Sequence, residues 1–138
     1  MIGIDTNILV YAFDTAYQEK RAVCKEIIEK IFEGKQKGAI TNQILAEFVN
    51  AVTRKIEKPL PEDAAKAIIG SILSSENWIV HNYTGRTILN SLPSKGHFWD
   101  FLIAQTFKEN NIDLIITENT KDFKESGIKV INPFKDKL

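Results

Sequence analysis

The segment IGIDTNILVY, residues 2–11, begins with three apolar residues and then becomes polar. Its first part, Ile2–Ile4, predicts a very short buried strand, and Asp5 follows that strand directly. Thr6 and Asn7 come next, and both are residue types that favour turns and helix N-termini. The opening of the chain therefore predicts a strand that ends on a carboxylate.

The rest of the chain alternates helical and strand patterns. Apolar residues at helical spacing predict helices over residues 19–32, 42–52, 62–72, 86–92 and 97–107, with Asn42 as the cap of the second of these. Short apolar runs predict strands at residues 38–41, 78–80, 113–117 and 128–131. Alternation of this kind favours an α/β fold, a three-layer α/β/α sandwich with a central, mostly parallel sheet. Functional groups would then gather at the carboxyl ends of the strands.

Composition limits the class of protein. The 138 residues suit one domain, residues 1–138, and 18 basic residues balance 18 acidic ones. A neutral chain argues against a protein that coats nucleic acid through its overall charge, although a local site remains possible. The single cysteine, Cys24, has apolar neighbours and is predicted to be a core thiol. No signal peptide or membrane span is predicted, so we expect a cytoplasmic protein without membrane contact.

Three carboxylates stand out because their neighbours are apolar. Asp5 follows a strand, Glu47 lies within ILAEFV, and Asp100 lies within FWDFL. A carboxylate in apolar surroundings is costly unless it is paired, hydrogen-bonded or bound to a metal. Magnesium and manganese ions prefer oxygen ligands of this kind. Enzymes use such bound ions to activate a water molecule that hydrolyses a phosphodiester. The pattern favours a metal-dependent hydrolase.

Each carboxylate also has a simpler interpretation. Asp5 could only cap the following helix, and Asp100 could only complement a helix dipole. Glu47 could form a surface ion pair with Arg54 or Lys55. A phosphatase that uses Asp5 as a nucleophile is a further alternative, although no second aspartate follows two residues later.

Taken together, four stretches resemble the PIN-domain family, and specifically its VapC-type toxins. These are IDTNILVY at residues 4–11, LAEF at 45–48, WDFLIA at 99–104 and ITENTKDF at 116–123. Their order and spacing cover almost the whole chain. The resemblance implies a parallel sheet flanked by helices and an acidic pocket that binds one or two Mg²⁺ or Mn²⁺ ions.

The resemblance also implies roles for particular residues. Asp5, Glu47 and Asp100 match the family's metal-binding and catalytic acids. The fourth acidic position is Asn119 here, which departs from the fully acidic pattern. Asp122 is then expected to supply the missing charge as a catalytic and metal-binding residue, with Glu118 as the alternative. Turn formation is the simpler role for Asn119 and Asp122.

Neighbouring polar residues have supporting roles in this interpretation. Thr6 and Asn7 are expected to orient Asp5 or a water, and Thr117 to contact the site through its hydroxyl. His97 and Trp99 are candidates for RNA contact, with Trp99 expected in the core. Candidate phosphate contacts are the basic residues Lys35, Lys37, Arg54, Lys55, Lys95 and Lys121.

The implied activity is endonucleolytic cleavage of structured RNA, such as tRNA or ribosomal RNA. The implied partners are that RNA, a cognate antitoxin and a second copy of the chain in a homodimer. The competing hypothesis is a PIN scaffold with weak or absent catalysis that serves as an RNA-binding or partner-binding module. Asn119 is the observation that motivates it.

Overall fold

The computed structural model describes residues 1–136 as an α/β fold. The strands are β1 (Ile2–Ile4), β2 (Gly38–Thr41), β3 (Trp78–His81), β4 (Leu114–Ile116) and β5 (Lys129–Ile131). The helices are α1 (Thr6–Tyr11), α2 (Gln18–Phe32), α3 (Asn42–Asn50), α4 (Glu62–Ser74), α5 (Gly85–Asn90), α6 (Phe98–Glu109) and α7 (Thr120–Phe123). A π-helical turn, Ala51–Lys55, extends α3, and a 3₁₀ turn, Lys124–Ser126, follows α7.

The five strands form one parallel sheet in the order β3-β2-β1-β4-β5. The short apolar strands fit such a sheet because it is buried on both faces. The chain moves from β1 to β2 and β3 on one side, and then returns to place β4 and β5 on the other side of β1. The direction of winding therefore changes between β1 and β4, and ligands of open α/β sheets bind at such a point.

Two glycines show that helices cover opposite faces of the sheet. A Cβ atom on Gly3 would lie 2.8 Å from the Phe107 ring of α6, so this face of β1 packs directly on α6. A Cβ atom on Gly38 would lie 2.8 Å from Ile31 of α2. Gly38 is in register with Ile2, which points away from the face of Gly3 because neighbouring strand residues alternate. The predicted three-layer sandwich is therefore confirmed.

The core residues match the apolar patterns of the sequence, with two corrections. Cys24 is fully buried, as predicted, and burial raises the pKa of its thiol to about 12. Trp99, which was expected in the core, is 60% exposed, so that expectation was wrong. Its ring instead lies edge-on against Phe98 near the start of α6.

The second correction concerns the beginning of α3. Thr41, rather than Asn42, caps this helix, because the Thr41 hydroxyl accepts a hydrogen bond from the Ile44 amide at 3.1 Å. Asn42 instead accepts one from the amide of Tyr83 at 3.0 Å, which ties α3 to the loop after β3. Among the described residues 1–136, no helix is both long enough and apolar enough to cross a membrane.

Candidate functional site

The carboxyl ends of β1 and β4 open into a pocket of about 660 Å³. We call it the carboxylate pocket. Its walls come from α1 and the loop after it, from α3 with its π-helical turn, from the start of α6 and from Asn119. Its lining is Asp5, Thr6, Asn7, Val10, Tyr11, Asp14, Tyr17, Glu47, Ala51, Lys55, Ile56, Glu57, Asp100 and Asn119. The three carboxylates singled out in the sequence therefore meet in one place, where the winding of the sheet reverses.

Asp5 lies at the bottom of the carboxylate pocket and is 3% exposed. Its Oδ2 accepts hydrogen bonds from the Thr117 hydroxyl at 2.7 Å and from the Asn7 amide at 3.1 Å, and its Oδ1 accepts one from the Thr6 backbone amide at 2.7 Å. Asp5 also occupies the N-cap position of α1, so the capping interpretation holds alongside the site interpretation. The expected contacts of Asn7 and Thr117 with the site are present.

Burial raises the pKa of Asp5 from its ordinary value of 3.8 to about 7. The hydrogen bonds from Thr117 and Thr6 oppose this shift, and the nearby charges of Asp100 and Glu47 add to it. An ionised Asp5 is therefore unfavourable in the folded protein unless a positive charge enters the pocket.

Glu47 is half-buried on α3 and is held by two neutral side chains. Its Oε1 accepts a hydrogen bond from the Thr6 hydroxyl at 2.6 Å, and its Oε2 accepts one from the Gln43 amide at 3.1 Å. Thr6 thus orients Glu47 through its hydroxyl, whereas the sequence suggested that it orients Asp5. An ion pair with Arg54 or Lys55 is absent within residues 1–136, so the surface-pair interpretation was wrong.

Asp100 lies in the first turn of α6 and is half-buried. Burial raises its pKa to about 6, the charges of Asp122 and Glu47 add to the shift, and His97 opposes it. In the described part of the chain its carboxylate receives no side-chain hydrogen bond, so its oxygens stay free for a ligand.

A second group of possible ligands adjoins Asp100 on the side of α7. One ligand atom each from His97, Asp100 and Asp122 lies within 4.8 Å of the others, and His97 Nδ1 is 3.6 Å from Asp122 Oδ1. Asp122 is therefore near Asp100, as the sequence suggested, but it does not line the carboxylate pocket itself. Among residues 1–136, Asp100 is the carboxylate that both lines the pocket and belongs to this second group.

The fourth position of the pocket is filled by an amide. Asn119 lines the carboxylate pocket, and its backbone amide is fixed by the Thr117 hydroxyl at 3.0 Å. Glu118 points elsewhere, because its carboxylate accepts hydrogen bonds from Tyr11 at 3.2 Å and from Lys20 at 2.9 Å. Glu118 is therefore engaged away from the pocket lining, whereas Asp14 and Glu57 line the pocket and Asp122 lies beside Asp100.

Of the six basic residues proposed from the sequence, Lys55 lines the carboxylate pocket. Lys37 precedes β2 at the opposite edge of the sheet and donates hydrogen bonds to Glu76 and Asn77, so a phosphate contact at this site was a wrong expectation. Lys35 pairs with Glu33 and Lys95 pairs with Glu125. The remaining two, Arg54 and Lys121, do not line the pocket.

Sequence reasoning missed five polar residues of this region, and one of them, Glu57, is a further carboxylate in the pocket lining. Asp14 is 5% exposed and lines the pocket, yet in the sequence it reads as an ordinary turn residue. Tyr11 and Tyr17 form one wall, and Gln43 holds Glu47 from below. Of these residues, only Tyr11 could have been found from the sequence, because the apolar spacing of residues 8–10 places it on the helix that Asp5 caps.

The donor set fits a hard divalent cation. The pocket offers carboxylate oxygens from Asp5, Glu47 and Asp100 and the amide group of Asn119, which match the preference of Mg²⁺ and Mn²⁺ for oxygen. Within residues 1–136, none of these three carboxylates forms an ion pair with lysine or arginine. Like charges converge without compensation, and a cation is the ligand that would relieve their repulsion.

Comparisons with known proteins agree with this geometry. A family model described as PIN domain matches residues 2–129. No curated protein matches the chain in a sequence comparison. That residues 1–138 form a single domain stays a prediction.

Several solved structures share the fold. FitAB bound to the IR36 DNA fragment has a chain that aligns with a TM-score of 0.73 and 16% identity, covering 100% of this chain and 99% of the other. VapBC2 from Rickettsia felis, bound to a promoter DNA fragment, has a chain that aligns with a TM-score of 0.62 and 20% identity, covering 96% of this chain and 98% of the other. Mycobacterium tuberculosis VapC20, described as a sarcin-ricin loop cleaving toxin, aligns with a TM-score of 0.68 and 13% identity, covering 93% of this chain and 96% of the other. At these identities the similarity establishes the fold.

Proposed function

Because this chain belongs to the PIN domain family, we propose that it is a metal-dependent endoribonuclease and the toxin of a VapBC-type toxin–antitoxin pair. The observation that carries the proposal is the convergence of Asp5, Glu47 and Asp100 in one pocket without a cationic partner among residues 1–136. A metal-free binding module would not need three clustered carboxylates, two of which are buried enough to raise the pKa of Asp5 to about 7 and of Asp100 to about 6, with the neighbouring charges adding to both shifts.

We propose that Asp5, Glu47 and Asp100 hold one Mg²⁺ or Mn²⁺ ion, with the Asn119 amide oxygen beside them. A bound ion of this type supplies positive charge to the phosphate and acidifies water for attack. Asp122 and His97 offer a second position that shares Asp100. The stoichiometry of Mn²⁺ binding, measured by calorimetry, distinguishes one position from two.

The remaining residues of the pocket orient the carboxylates and the substrate. Thr117 and Asn7 hold Asp5, and Thr6 holds Glu47, so the two carboxylates are fixed before a ligand arrives. Asp100 has free lone pairs with which to bind a cation or to accept a proton from an attacking water. Lys55, on the π-helical turn, is the cation placed to meet a phosphate at the pocket.

The phosphatase alternative is not supported by the geometry. Asp5 would have to act as a nucleophile, but it is 3% exposed and both its oxygens accept hydrogen bonds. The binding-module alternative keeps one supporting observation, namely the amide of Asn119 at the fourth position. A catalytically degenerate site would fail to bind Mn²⁺, so the same calorimetric titration separates this alternative from the enzyme.

The solved structures that share the fold support a proposal about partners. FitAB and VapBC2 were both solved bound to DNA, and VapC20 is described as a sarcin-ricin loop cleaving toxin. By analogy we propose a structured RNA as substrate, a cognate antitoxin as inhibitor, a homodimer as the assembled state and the cytoplasm as location. Co-purification with the product of a neighbouring short reading frame, and sedimentation of the purified chain, test the antitoxin and the dimer.

The decisive experiment is cleavage of a labelled pool of structured RNA with Mg²⁺ or Mn²⁺, and with EDTA. We expect cuts that require the metal and disappear in both Asp5→Asn and Asp100→Asn. The matched control is Asp113→Asn, which makes the same chemical change on an exposed residue before β4, at the opposite edge of the sheet. Full activity in both pocket variants would refute the assignment.

A further inference from the structure

One wall of the carboxylate pocket is aromatic. Tyr11 and Tyr17 both line the pocket, and their rings meet edge to face with centroids 5.6 Å apart. Tyr17 is 53% exposed although it carries one of the larger apolar surfaces in the chain. An aromatic ring held at the rim of a polar pocket is available to a ligand that has a flat face.

The turn that presents Tyr17 is well hydrogen-bonded. The Asp14 amide donates to the Tyr11 carbonyl at 3.2 Å, and the Tyr17 amide donates to the Asp14 carbonyl at 3.4 Å. The buried Asp14 side chain also accepts a hydrogen bond from the Ala16 amide at 3.1 Å. Tyr17 is therefore held in place before any ligand binds, which lowers the entropic cost of binding.

Tyr11 is held in the same way from behind. Its hydroxyl donates a hydrogen bond to Glu118 at 3.2 Å, and the Lys20 ammonium lies 5.0 Å from its ring centroid. Lys20 is in turn paired with Glu118 at 2.9 Å. Tyr11 thus acts as a fixed support for the exposed ring of Tyr17.

The opposite wall supplies a positive charge. Lys55 is exposed on the π-helical turn, lines the pocket and has no carboxylate within ion-pair distance in the described part of the chain. The pocket therefore combines three features of a nucleotide site: carboxylates that suit a metal and phosphate, a lysine, and an aromatic face. Aromatic side chains beside a positively charged groove are how proteins bind unpaired nucleic acid strands.

We propose that Tyr17, supported by Tyr11, stacks on one unpaired nucleobase next to the phosphate bound at the carboxylates. This inference rests on the proposed nuclease function and names the residue that holds an unpaired base beside the cleavage site. In a duplex the faces of each base are covered by its neighbours, so Tyr17 has no surface to stack on. Stacking tolerates different bases, so Tyr17 selects strand state more than sequence.

The test is a double-mutant cycle on binding, with Ca²⁺ in place of Mg²⁺. The probe is a short, labelled, unstructured RNA, and a set of derivatives in which each base in turn is removed to leave an abasic sugar. We expect Tyr17→Ala to weaken binding of the intact RNA by about 5- to 150-fold, the range of one lost base stack. Tyr17→Phe should bind within about twofold of wild type, because the ring that stacks is kept.

For one of the abasic RNAs, Tyr17→Ala should not weaken binding any further, because the base that stacks on Tyr17 is already missing. Duplex RNA of the same sequence should bind the wild type and Tyr17→Ala equally. Phe32→Ala is the matched control, because Phe32 is an exposed aromatic residue at the end of α2 and does not line the pocket. The inference would be overturned if Tyr17→Ala weakened binding equally for every abasic RNA, or did not weaken RNA binding at all. If Tyr17→Ala weakened binding of the antitoxin but not of RNA, Tyr17 would belong to a protein interface instead.

The outcomes separate this inference from the proposed function. Metal-dependent cleavage that is lost in Asp5→Asn, without any coupling between Tyr17 and a base, would keep the nuclease and remove the stacking site. Coupling without cleavage would keep the nucleobase site and support the binding module instead.

Discussion

The buried carboxylate of Asp5 makes a specific prediction about stability in the absence of metal. The pKa of Asp5 is raised from 3.8 to about 7 in the folded protein, so the folded state binds this proton more tightly than the unfolded chain. The stabilisation is therefore complete below a pH of about 3.8 and is lost as the pH rises through about 7. The metal-free protein should become less stable toward alkaline pH.

The size of the effect follows from the same two pKa values. Between roughly pH 5 and pH 8, Asp5 alone should lower the free energy of unfolding by about 2–3 kcal/mol. Asp5→Asn removes this titration, but its amide can satisfy fewer of the three hydrogen bonds that the carboxylate accepts. That loss costs about 1–3 kcal/mol and does not depend on pH. The slope with pH therefore isolates the charge.

The assay is urea unfolding in EDTA at several pH values for wild type, Asp5→Asn and the control Asp113→Asn. We expect wild type and the control to lose stability in parallel, and Asp5→Asn to lose about 2–3 kcal/mol less across roughly pH 5–8. Mn²⁺ in hundredfold excess over its dissociation constant should restore about 2.7 kcal/mol to the wild type at the higher pH and less to Asp5→Asn. Parallel slopes for all three proteins would refute the account of Asp5 as a carboxylate that needs a cation.

Three further predictions concern packing and the positioning of the acids. Gly3→Ala should destabilise the protein by about 1–3 kcal/mol in urea unfolding, because its Cβ would lie 2.8 Å from a buried phenyl ring; a neutral effect would mean that α6 can move. Thr6→Val removes the hydroxyl that orients Glu47 and should weaken Mn²⁺ binding about 10–100-fold by calorimetry, whereas Thr6→Ser should not. Asp122→Asn should lower the pKa of Asp100 below about 6, measured by carboxyl NMR titration without metal; an unchanged pKa would show that the two groups do not interact.

Much of the fold was predictable from local sequence. Buried parallel strands and amphipathic helices leave periodic apolar patterns, and these placed every strand within one or two residues of its observed bounds. The resemblance of four stretches to the PIN family, now confirmed by the match over residues 2–129, also brought together Asp5, Glu47 and Asp100. These inferences needed only patterns that lie within single helices and strands.

What the sequence alone could not decide concerns long-range contacts. The hydroxyl of Thr6 donates a hydrogen bond to Glu47, 41 residues away in sequence, and Lys20 pairs with Glu118, 98 residues away. Trp99 looked like a core residue because its neighbours are apolar, but α6 turns it outward.

The amino-acid sequence by itself determined the fold class, the family and the three carboxylates, because each depends on periodicity or on a short motif. Tertiary structure decided the partners of those carboxylates, their raised pKa values and the aromatic wall with Tyr17. Those properties depend on burial and on which side chains from distant segments face the same pocket. Local spacing encodes neither the burial of a side chain nor its neighbours in the pocket, because the order of the strands in the sheet sets both.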